Sequence, residues 1–352
     1  MSNEILFIGG FIIFIFLIMA ADLGMFGKSE KPVSLKQAAI LSAVWVSFAL
    51  GFYWLILHYG HLLHQVDSIA RLQEINQKHL HKLAINVNDL EASLQLYRKN
   101  LGLEFITGYV VEYALSVDNI FVMVLIFGAF GVQQRYYHKV LLWGIIGAIV
   151  MRFLFIFVGA ALINQFHWIL YVFGAFLVYT GVSMFINRNQ EEEIDPENHK
   201  VVKLASKYFS VHPKFEGGKF FININGKRYI TPLFLVLLII EFTDLIFAVD
   251  SIPAIFSITK DPYIVFFSNI FAIMGLRSMF FLLVNIIEKF HYLKVGLAAL
   301  LTFIGLKMLL ANWVEKIGIT TQNSLIIILS ILVISVVASL IFPKKEVKHS
   351  KK

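Results

Sequence analysis

Two stretches of the chain place carboxylates inside segments that are otherwise apolar enough to span a membrane. They run Glu112-Tyr-Ala-Leu-Ser-Val-Asp118-Asn119 and Glu241-Phe-Thr-Asp244-Leu-Ile-Phe-Ala-Val-Asp250-Ser-Ile-Pro253. An aspartate near the centre of a bilayer costs about 2.5 to 3.5 kcal/mol on insertion scales. Five such acids need compensating partners, and the simplest partner is a cation bound between them.

The donor atoms in both stretches are oxygens. Glu112, Ser116 and Asn119 share one face of a helix, and Ser251 directly follows Asp250. Hard dications such as Mn²⁺, Mg²⁺ or Ca²⁺ prefer carboxylate, hydroxyl and carbonyl oxygens. The chain has no cysteine, which excludes thiolate metal sites and thiol catalysis. The pattern therefore favours a hard divalent cation.

Both motifs must bend if all their acids are to reach one site. On an ideal helix, Asp118 points about 120° away from Glu112. Pro253 lacks an N–H, so the carbonyl four residues earlier loses its helical donor and becomes an available oxygen ligand. We therefore expect local unwinding there. Glu241 and Asp244 lie on one face, where a proton would compete with the metal.

The structural alternative is that the acids only pair with two intramembrane arginines, Arg152 and Arg277. Two arginines cannot neutralise five carboxylates. We therefore expect these guanidinium groups to hold the excess negative charge when the site is empty. Asp22, at the inner end of the first apolar segment, is either a gate or an interfacial residue.

The elements that position these residues are apolar helices. The 352 residues are 58% hydrophobic, whereas soluble domains are about 45–50% apolar. Apolar runs of about the length that a span requires lie at roughly 5–24, 37–58, 104–129, 139–162, 167–187, 231–256, 263–287, 292–311 and 323–342. The prediction is an all-α fold, a polytopic membrane helix bundle of about nine transmembrane helices.

The basic residues indicate how the bundle is oriented. If the N-terminus lies outside, inward-facing segments hold 20 of the 30 Lys and Arg residues and outward-facing segments hold seven. This split fits the positive-inside rule, with the C-terminus in the cytoplasm and the bundle in the inner cell membrane. The net charge of +7 therefore reports orientation, and no nucleic-acid partner is expected.

Spans three to five resemble spans six to eight. The alignment pairs Val117-Asp118-Asn119-Ile120 with Val249-Asp250-Ser251-Ile252, and Arg152 with Arg277. A three-span unit repeated in tandem enters the membrane from opposite sides. The units 104–187 and 231–311 are thus predicted to form an inverted repeat with a midplane site. The cytoplasmic loop 188–230 between them is predicted to be a solvated connector with short strands near 220–224 and 228–230.

The segment 59–103 is predicted to be an outer insertion. Apolar residues at steps of three and four predict an amphipathic helix, and they are Leu83, Val87, Leu90, Leu94 and Tyr97. Asp67-Ser68 is a candidate cap for an earlier helix. We expect this insertion to pack on the outer membrane face or on a second copy. His58, His61 and His64 step by three, and we expect a solvated stripe, with metal binding as the alternative.

At these motifs the chain resembles the TerC family of membrane proteins, named for tellurite resistance and including the Alx type. The resemblance covers 102–343 and is carried by Leu103–Tyr109, Leu115–Asn119, Gly217–Phe221, Asn225–Arg228, Thr231–Phe234, Glu241–Phe256 and Ser268–Arg277. It implies metal efflux, chiefly of Mn²⁺. It also implies that the site is lined by Glu112, Asp118, Asn119, Glu241, Asp244 and Asp250. An acid-lined path should repel the tellurite anion, so tellurite is not the expected substrate.

Two classes of function fit these residues. The first is a secondary transporter that exports Mn²⁺, with Ca²⁺ transport as the alternative, H⁺ as the candidate counter-ion and no resident cofactor. The second is a membrane assembly or metalation factor for exported proteins, with a homodimer or secretion-machinery partner at the 59–103 loop. An intramembrane enzyme is not expected, because no nucleophile stands beside a base.

Overall fold

The computed structural model describes residues 9–11, 13–15, 17–18, 33–81, 83–166, 168–188, 195, 199–284, 290, 292–318 and 320–342. The elements are α1 (Leu35–Tyr59), α2 (Ile69–Lys78), α3 (Leu90–Ala129), α4 (Gln134–Gln165), α5 (Ile169–Ile186), α6 (Lys200–Tyr208), β1 (Phe221–Ile224), β2 (Lys227–Ile230), α7 (Pro232–Phe256), α8 (Pro262–Leu283), α9 (Leu293–Leu309), α10 (Ala311–Ile317) and α11 (Thr321–Ile341). The predicted polytopic helical architecture is confirmed.

Seven of the described helices are long and apolar enough to cross a membrane, namely α1, α3, α4, α5, α7, α8 and α11. The eighth predicted span corresponds to α9, which has 17 residues. The first predicted span falls largely outside the described residues, although its residues 9–11, 13–15, 17 and 18 are helical. The total of nine spans therefore stays a prediction.

The starts of the principal helices follow from local chemistry. Ser34 and Gln37 form a reciprocal capping box at the start of α1. Ser68 accepts a hydrogen bond from the backbone N–H of Arg71 and caps α2 as predicted. Asp261 caps α8, where Pro262 occupies the first helical position and needs no N–H partner.

The core of the bundle is α8. Every residue of its most apolar window is buried, and the helix packs against α1, α3 and α4. A helix that is apolar all round needs partners on every side. Aromatic rings fill one side of it, with the Phe52 ring 5.2 Å from that of Phe267 and 4.9 Å from that of Phe271. This arrangement places the polar residues of α8 at the centre of the molecule.

The third predicted span begins earlier than its sequence suggested. Helix α3 starts at Leu90 rather than near residue 104 and has 40 residues, a length of about 60 Å. A bilayer's hydrocarbon core is only about 30 Å thick, so the first turns of α3 extend beyond it. Leu83 and Val87 precede this helix, so the predicted amphipathic helix starts later than expected.

The insertion packs on its own chain. Leu72 and Ile75 of α2 and Tyr97 and Leu101 of α3 are all fully buried in the main hydrophobic cluster. Part of the apolar stripe that was predicted to contact the membrane face or a second copy thus packs inside the molecule. Val87, in contrast, is 59% exposed.

Helices α5 and α9 cross at glycines. A Cβ atom on Gly181 would stand 2.7 Å from the carbonyl oxygen of Ala298, and one on Gly305 would stand 2.7 Å from that of Gly174. Gly305 and Ala298 each lie 124 positions after Gly181 and Gly174, respectively. These contacts are therefore reciprocal when α5 is aligned with α9 so that Gly181 matches Gly305. Reciprocity of this kind is what an internal two-fold axis produces, and the inverted repeat stays a prediction.

The inner loop carries the predicted strand pair. Strands β1 and β2 are antiparallel, with Phe221 opposite Ile230. Asn225 and Gly226 form the turn with φ of 52° and 78°, the left-handed geometry that tight hairpins require. The side chain of Lys139, at the start of a predicted span, donates from Nζ to the carbonyl oxygen of Gly218 at 2.7 Å. Two segments predicted to face the cytoplasm thus lie together.

Candidate cation site

Four helices bring polar groups to one buried point, and Arg152 of α4 lies at its centre. The guanidinium is fully buried. Its Nη1 donates to Oε1 of Glu112 on α3 and, at 2.7 Å, to Oδ1 of Asn269 on α8. Its Nη2 donates to Oδ1 of Asp244 on α7 at 3.2 Å. The structure therefore joins one acid from each predicted repeat through a single arginine.

The buried face of α3 is the one predicted from helical spacing. Glu112 and Ser116 are fully buried and Asn119 is 3% exposed, whereas Asp118 is only partly buried. Asn119 Nδ2 lies 3.4 Å from Asp244 Oδ1. This buried face of α3 thus carries a carboxylate that reaches α4, an amide that reaches α7 and a hydroxyl between them in the sequence.

Several oxygens on these residues remain available. Among the residues that the structure describes, the buried atoms without a hydrogen-bond partner include Glu112 Oε2, Ser116 Oγ and Asp244 Oδ2. A buried polar atom without a partner costs about 1–3 kcal/mol, and more if it is charged. With both carboxylates ionised, the triad around Arg152 carries one excess negative charge. The cluster is therefore short of positive charge and has unused oxygen ligands.

An otherwise apolar cavity lies beside Asp244. Its lining includes Met123, Leu141, Ile145, Ile240 and Ile273. A low-polarity wall next to a carboxylate strengthens electrostatic interactions, because little water is present to screen them. A cation entering this space would be attracted strongly to Asp244.

Two of the remaining predicted ligands, Asp250 and Glu241, contact other residues. Asp250 Oδ1 accepts a hydrogen bond from Thr180 Oγ1 on α5 at 3.2 Å. The carboxylate of Glu241 packs closely against Gly147 on α4, where a Cβ would overlap it. Both acids are partly exposed. The observed cluster therefore contains Glu112, Asn119 and Asp244, whereas Asp250 bonds to α5 and Glu241 packs against α4.

Both intramembrane arginines are buried. Arg152 bonds to two of the predicted acids, Glu112 and Asp244. Arg277 lies on α8, about two turns beyond Asn269. The expectation that these arginines hold the excess negative charge of the site stays a prediction. Asp22 lies outside the described residues.

The expected unwinding is wrong. Helix α3 runs without interruption through Glu112 and Asp118, and α7 continues through Pro253 to Phe256. Pro253 lies close to the end of its helix, so its missing N–H and steric conflict affect only the last turns. The acids of α7 consequently point in different directions, which explains why Asp250 reaches α5 and Asp244 reaches α4.

Three residues of the site were not predicted as such. Asn269 contacts Arg152, and an asparagine inside a mainly apolar helix was the signal for it. Thr180 and Gly147 contact the acids of α7. Nothing in their local sequence distinguishes them from other threonines and glycines, because their roles depend on helix packing.

The histidine stripe does not form one surface. His58 is exposed, His61 is partly exposed and His64 is fully buried. The expectation of a solvated stripe is therefore wrong for His64. The chain turns away from helical geometry after Tyr59, through a short 3₁₀ turn, and this turn carries His64 inward.

Comparison with known proteins decides the family. The sequence model of the family described as "Integral membrane protein TerC family" matches residues 97–347. The chain belongs to the TerC family. This TerC-family chain is 43% identical over 336 residues to an uncharacterized membrane protein, STKORF319, of Myxococcus xanthus, covering 94% of this chain and 91% of the relative.

Two further relatives place the family match in context. The TerC-family chain is 40% identical over 310 residues to the protein named "Putative membrane-bound redox modulator Alx" in Escherichia coli (strain K12), covering 87% of this chain and 86% of the relative. It is 46% identical over 238 residues to an uncharacterized membrane protein of Rickettsia bellii, covering 68% and 77%. No solved structure matches it.

Proposed function

We propose that this TerC-family protein is an exporter of divalent cations in the inner cell membrane, with Mn²⁺ as the best-fitting substrate. The supporting observation is the shared use of Arg152 by Glu112 and Asp244. Each carboxylate keeps one buried oxygen without a hydrogen-bond partner in the described part of the chain. An all-oxygen site with excess negative charge suits a hard dication.

In this proposal Arg152 takes the place of the substrate in the empty site. A dication entering beside Asp244 competes with the guanidinium for the carboxylates of Glu112 and Asp244. Asn119 and Ser116 add neutral oxygens on the same side of α3. When the metal ion replaces the Arg152 guanidinium, the two buried carboxylates keep a positively charged partner. Leaving them unpaired would be strongly unfavourable.

The other acids of the two motifs are proposed to form the path to and from this point. Glu241 and Asp250 are partly exposed and lie on α7 on either side of Asp244. Asp118 is partly exposed on α3. Carboxylates in such positions can bind the metal transiently or take up a proton, which gives the proposed H⁺ counterflow a chemical basis.

Flux through proteoliposomes tests the proposal. Purified protein should carry Mn²⁺, and Asp244→Asn should reduce the initial rate by at least about tenfold, because a neutral amide removes a ligand charge worth more than 1.4 kcal/mol. Glu74→Gln is the matched control, because Glu74 is an exposed acid paired with Arg71 on α2. Full Mn²⁺ flux in a folded Asp244→Asn variant would contradict the proposal.

The same vesicles address selectivity and coupling. Competition by Ca²⁺ at equal concentration separates a Mn²⁺ exporter from the alternative Ca²⁺ transporter. An imposed pH gradient that accelerates Mn²⁺ movement against its own gradient supports H⁺ counterflow. Flux that is insensitive to the pH gradient would remove the proton from the proposal while leaving the cation site intact.

The assembly or metalation factor remains the second candidate, and pure protein in vesicles separates it from a transporter because no client is present. Deleting residues 62–100, most of the outer insertion, would not separate the two functions cleanly. The deletion would also remove Leu90–Asn100, which form the first turns of α3. The name of the Escherichia coli relative refers to redox modulation. This chain has no cysteine, so its own side chains do not offer thiol exchange.

A further inference from the structure

A second polar cluster lies at the end of the molecule predicted to face outward. His64 follows the 3₁₀ turn after α1, His79 is the C-cap of α2, and Asp261 is the N-cap of α8. Their exposed fractions are 0%, 3% and 0%. The cluster therefore joins the outer insertion to the connection between α7 and α8, and it is separate from the acids of the proposed transport site.

The three residues present ligand atoms to one another. One ligand atom from each lies within 4.8 Å of the other two, and His64 Nε2 is 3.4 Å from Asp261 Oδ2. Two ligands bound tetrahedrally at about 2.1 Å from a zinc ion stand about 3.4 Å apart. The histidine and aspartate already have the spacing of one edge of such a site.

The facing atoms are also unused. Within the described residues, His64 Nε2, Asp261 Oδ2 and both ring nitrogens of His79 are buried without a hydrogen-bond partner. Buried polar atoms nearly always have a partner. One ring nitrogen of a neutral His79 carries a proton, so each of the three side chains has one unpartnered atom that can offer a lone pair. A metal ion is a ligand that accepts all three.

Neighbouring groups orient the ligands. His64 Nδ1 is hydrogen-bonded to the hydroxyl of Tyr97 at 2.7 Å, which leaves Nε2 for the cluster. Asp261 Oδ1 accepts from the backbone N–H of Tyr263 at 3.0 Å, which leaves Oδ2. Fixing the second donor atom of a ligand in this way is typical of metal centres.

We propose that His64, His79 and Asp261 bind a transition metal, best fitted by Zn²⁺, as a structural cross-link between the outer insertion and the α7–α8 connection. Mixed imidazole and carboxylate ligands favour Zn²⁺ over the hard dications proposed as cargo. A water or His81 would supply the fourth metal ligand. The His81 ring centroid is 5.8 Å from that of His79.

Metal analysis of the purified full-length protein tests this site. After chelation and dialysis against Zn²⁺, the wild type should retain about one ion per chain, because His64, His79 and Asp261 form a single site. His79→Asn and Asp261→Asn should lose it. His58→Asn is the matched control, because His58 is an exposed histidine of the same stretch, and it should retain the ion.

Two further measurements keep the proposal falsifiable if a ligand variant fails to fold. Co²⁺ bound to the wild type should give the intense visible bands of tetrahedral coordination, and Zn²⁺ should displace them. Tyr97→Phe should weaken Zn²⁺ binding about 10- to 100-fold, as expected when a supporting hydrogen bond is lost. A wild type that binds neither ion, or equal Zn²⁺ content in His79→Asn, would overturn the site.

The transport variant separates this inference from the proposed function. Asp244→Asn should bind Zn²⁺ like the wild type, since Asp244 has no part in the cluster. Loss of Mn²⁺ flux with Zn²⁺ retained supports both proposals. Zn²⁺ retained with normal flux would contradict only the transport proposal.

Discussion

At the scale of single residues, Arg152 determines how the buried acids are tolerated. It bonds to carboxylates that are 132 positions apart in the sequence, Glu112 and Asp244, and to Asn269. Buried ion pairs are expensive to form and more expensive to break, because breaking one leaves a charge without compensation. Arg152 is therefore expected both to stabilise the fold and to compete with the cation.

Replacing Arg152 separates these two roles. Arg152→Gln should lower the free energy of unfolding by about 3–5 kcal/mol, since two buried carboxylates lose their counter-charge. Saturating Mn²⁺ should then raise the melting temperature of the variant more than that of the wild type. Thermal unfolding in detergent with and without Mn²⁺ measures both effects.

The matched control for this experiment is Arg135→Gln, which changes an exposed arginine on the same helix. Its stability and its response to Mn²⁺ should equal those of the wild type. If Mn²⁺ stabilises Arg152→Gln no more than the wild type, the guanidinium has a purely structural role.

At the scale of elements, α5 and α9 make a close helix crossing. Gly305 allows the approach, because a Cβ there would lie 2.7 Å from a carbonyl oxygen and 2.8 Å from a backbone nitrogen of α5. Small residues at such crossings let two membrane helices come close enough for extensive van der Waals contact. Since Thr180 of α5 bonds to Asp250, this crossing also positions part of the proposed path.

A single added methyl group tests the crossing. Gly305→Ala should destabilise the protein by about 1–3 kcal/mol, the usual cost of overpacking a closely packed contact. Gly51→Ala is the control, because nothing lies within 4 Å of its added Cβ, and it should leave stability unchanged or raise it by about 0.5–1 kcal/mol. Equal melting temperatures for the two variants would contradict the close crossing.

At the scale of the whole molecule, segments assigned to the same side of the membrane lie together. His64 of the insertion contacts Asp261 of the α7–α8 connection, both predicted to be outside. Lys139 contacts Gly218, both predicted to be inside. These pairings fit alternating spans, whereas the choice of which side is cytoplasmic depends on the basic residues alone.

Single cysteines test that choice, because the chain has none of its own. Glu74→Cys should react with a membrane-impermeant maleimide in intact cells, since Glu74 is exposed on the predicted outer insertion. Arg228→Cys, exposed on the inner hairpin, should react only after permeabilisation. The reverse pattern would place the C-terminus outside.

The sequence determined the class of protein and the faces of its helices. Membrane spans are readable from composition, because a chain in lipid must satisfy its backbone within continuous apolar segments. The buried face of Glu112, Ser116 and Asn119 followed from helical spacing in the same way. The short hairpin at Asn225-Gly226 could also be predicted from local sequence, because that dipeptide favours the observed turn.

Only the tertiary structure decided which polar groups meet. Arg152 bonds to both Glu112 and Asp244, Asp250 contacts Thr180, and His64 is buried beside residues of two other elements. Local spacing cannot specify these contacts, because each depends on the rotation and crossing of helices that are distant in the chain. Helix packing fixes those quantities through close contacts such as the glycines of α5 and α9.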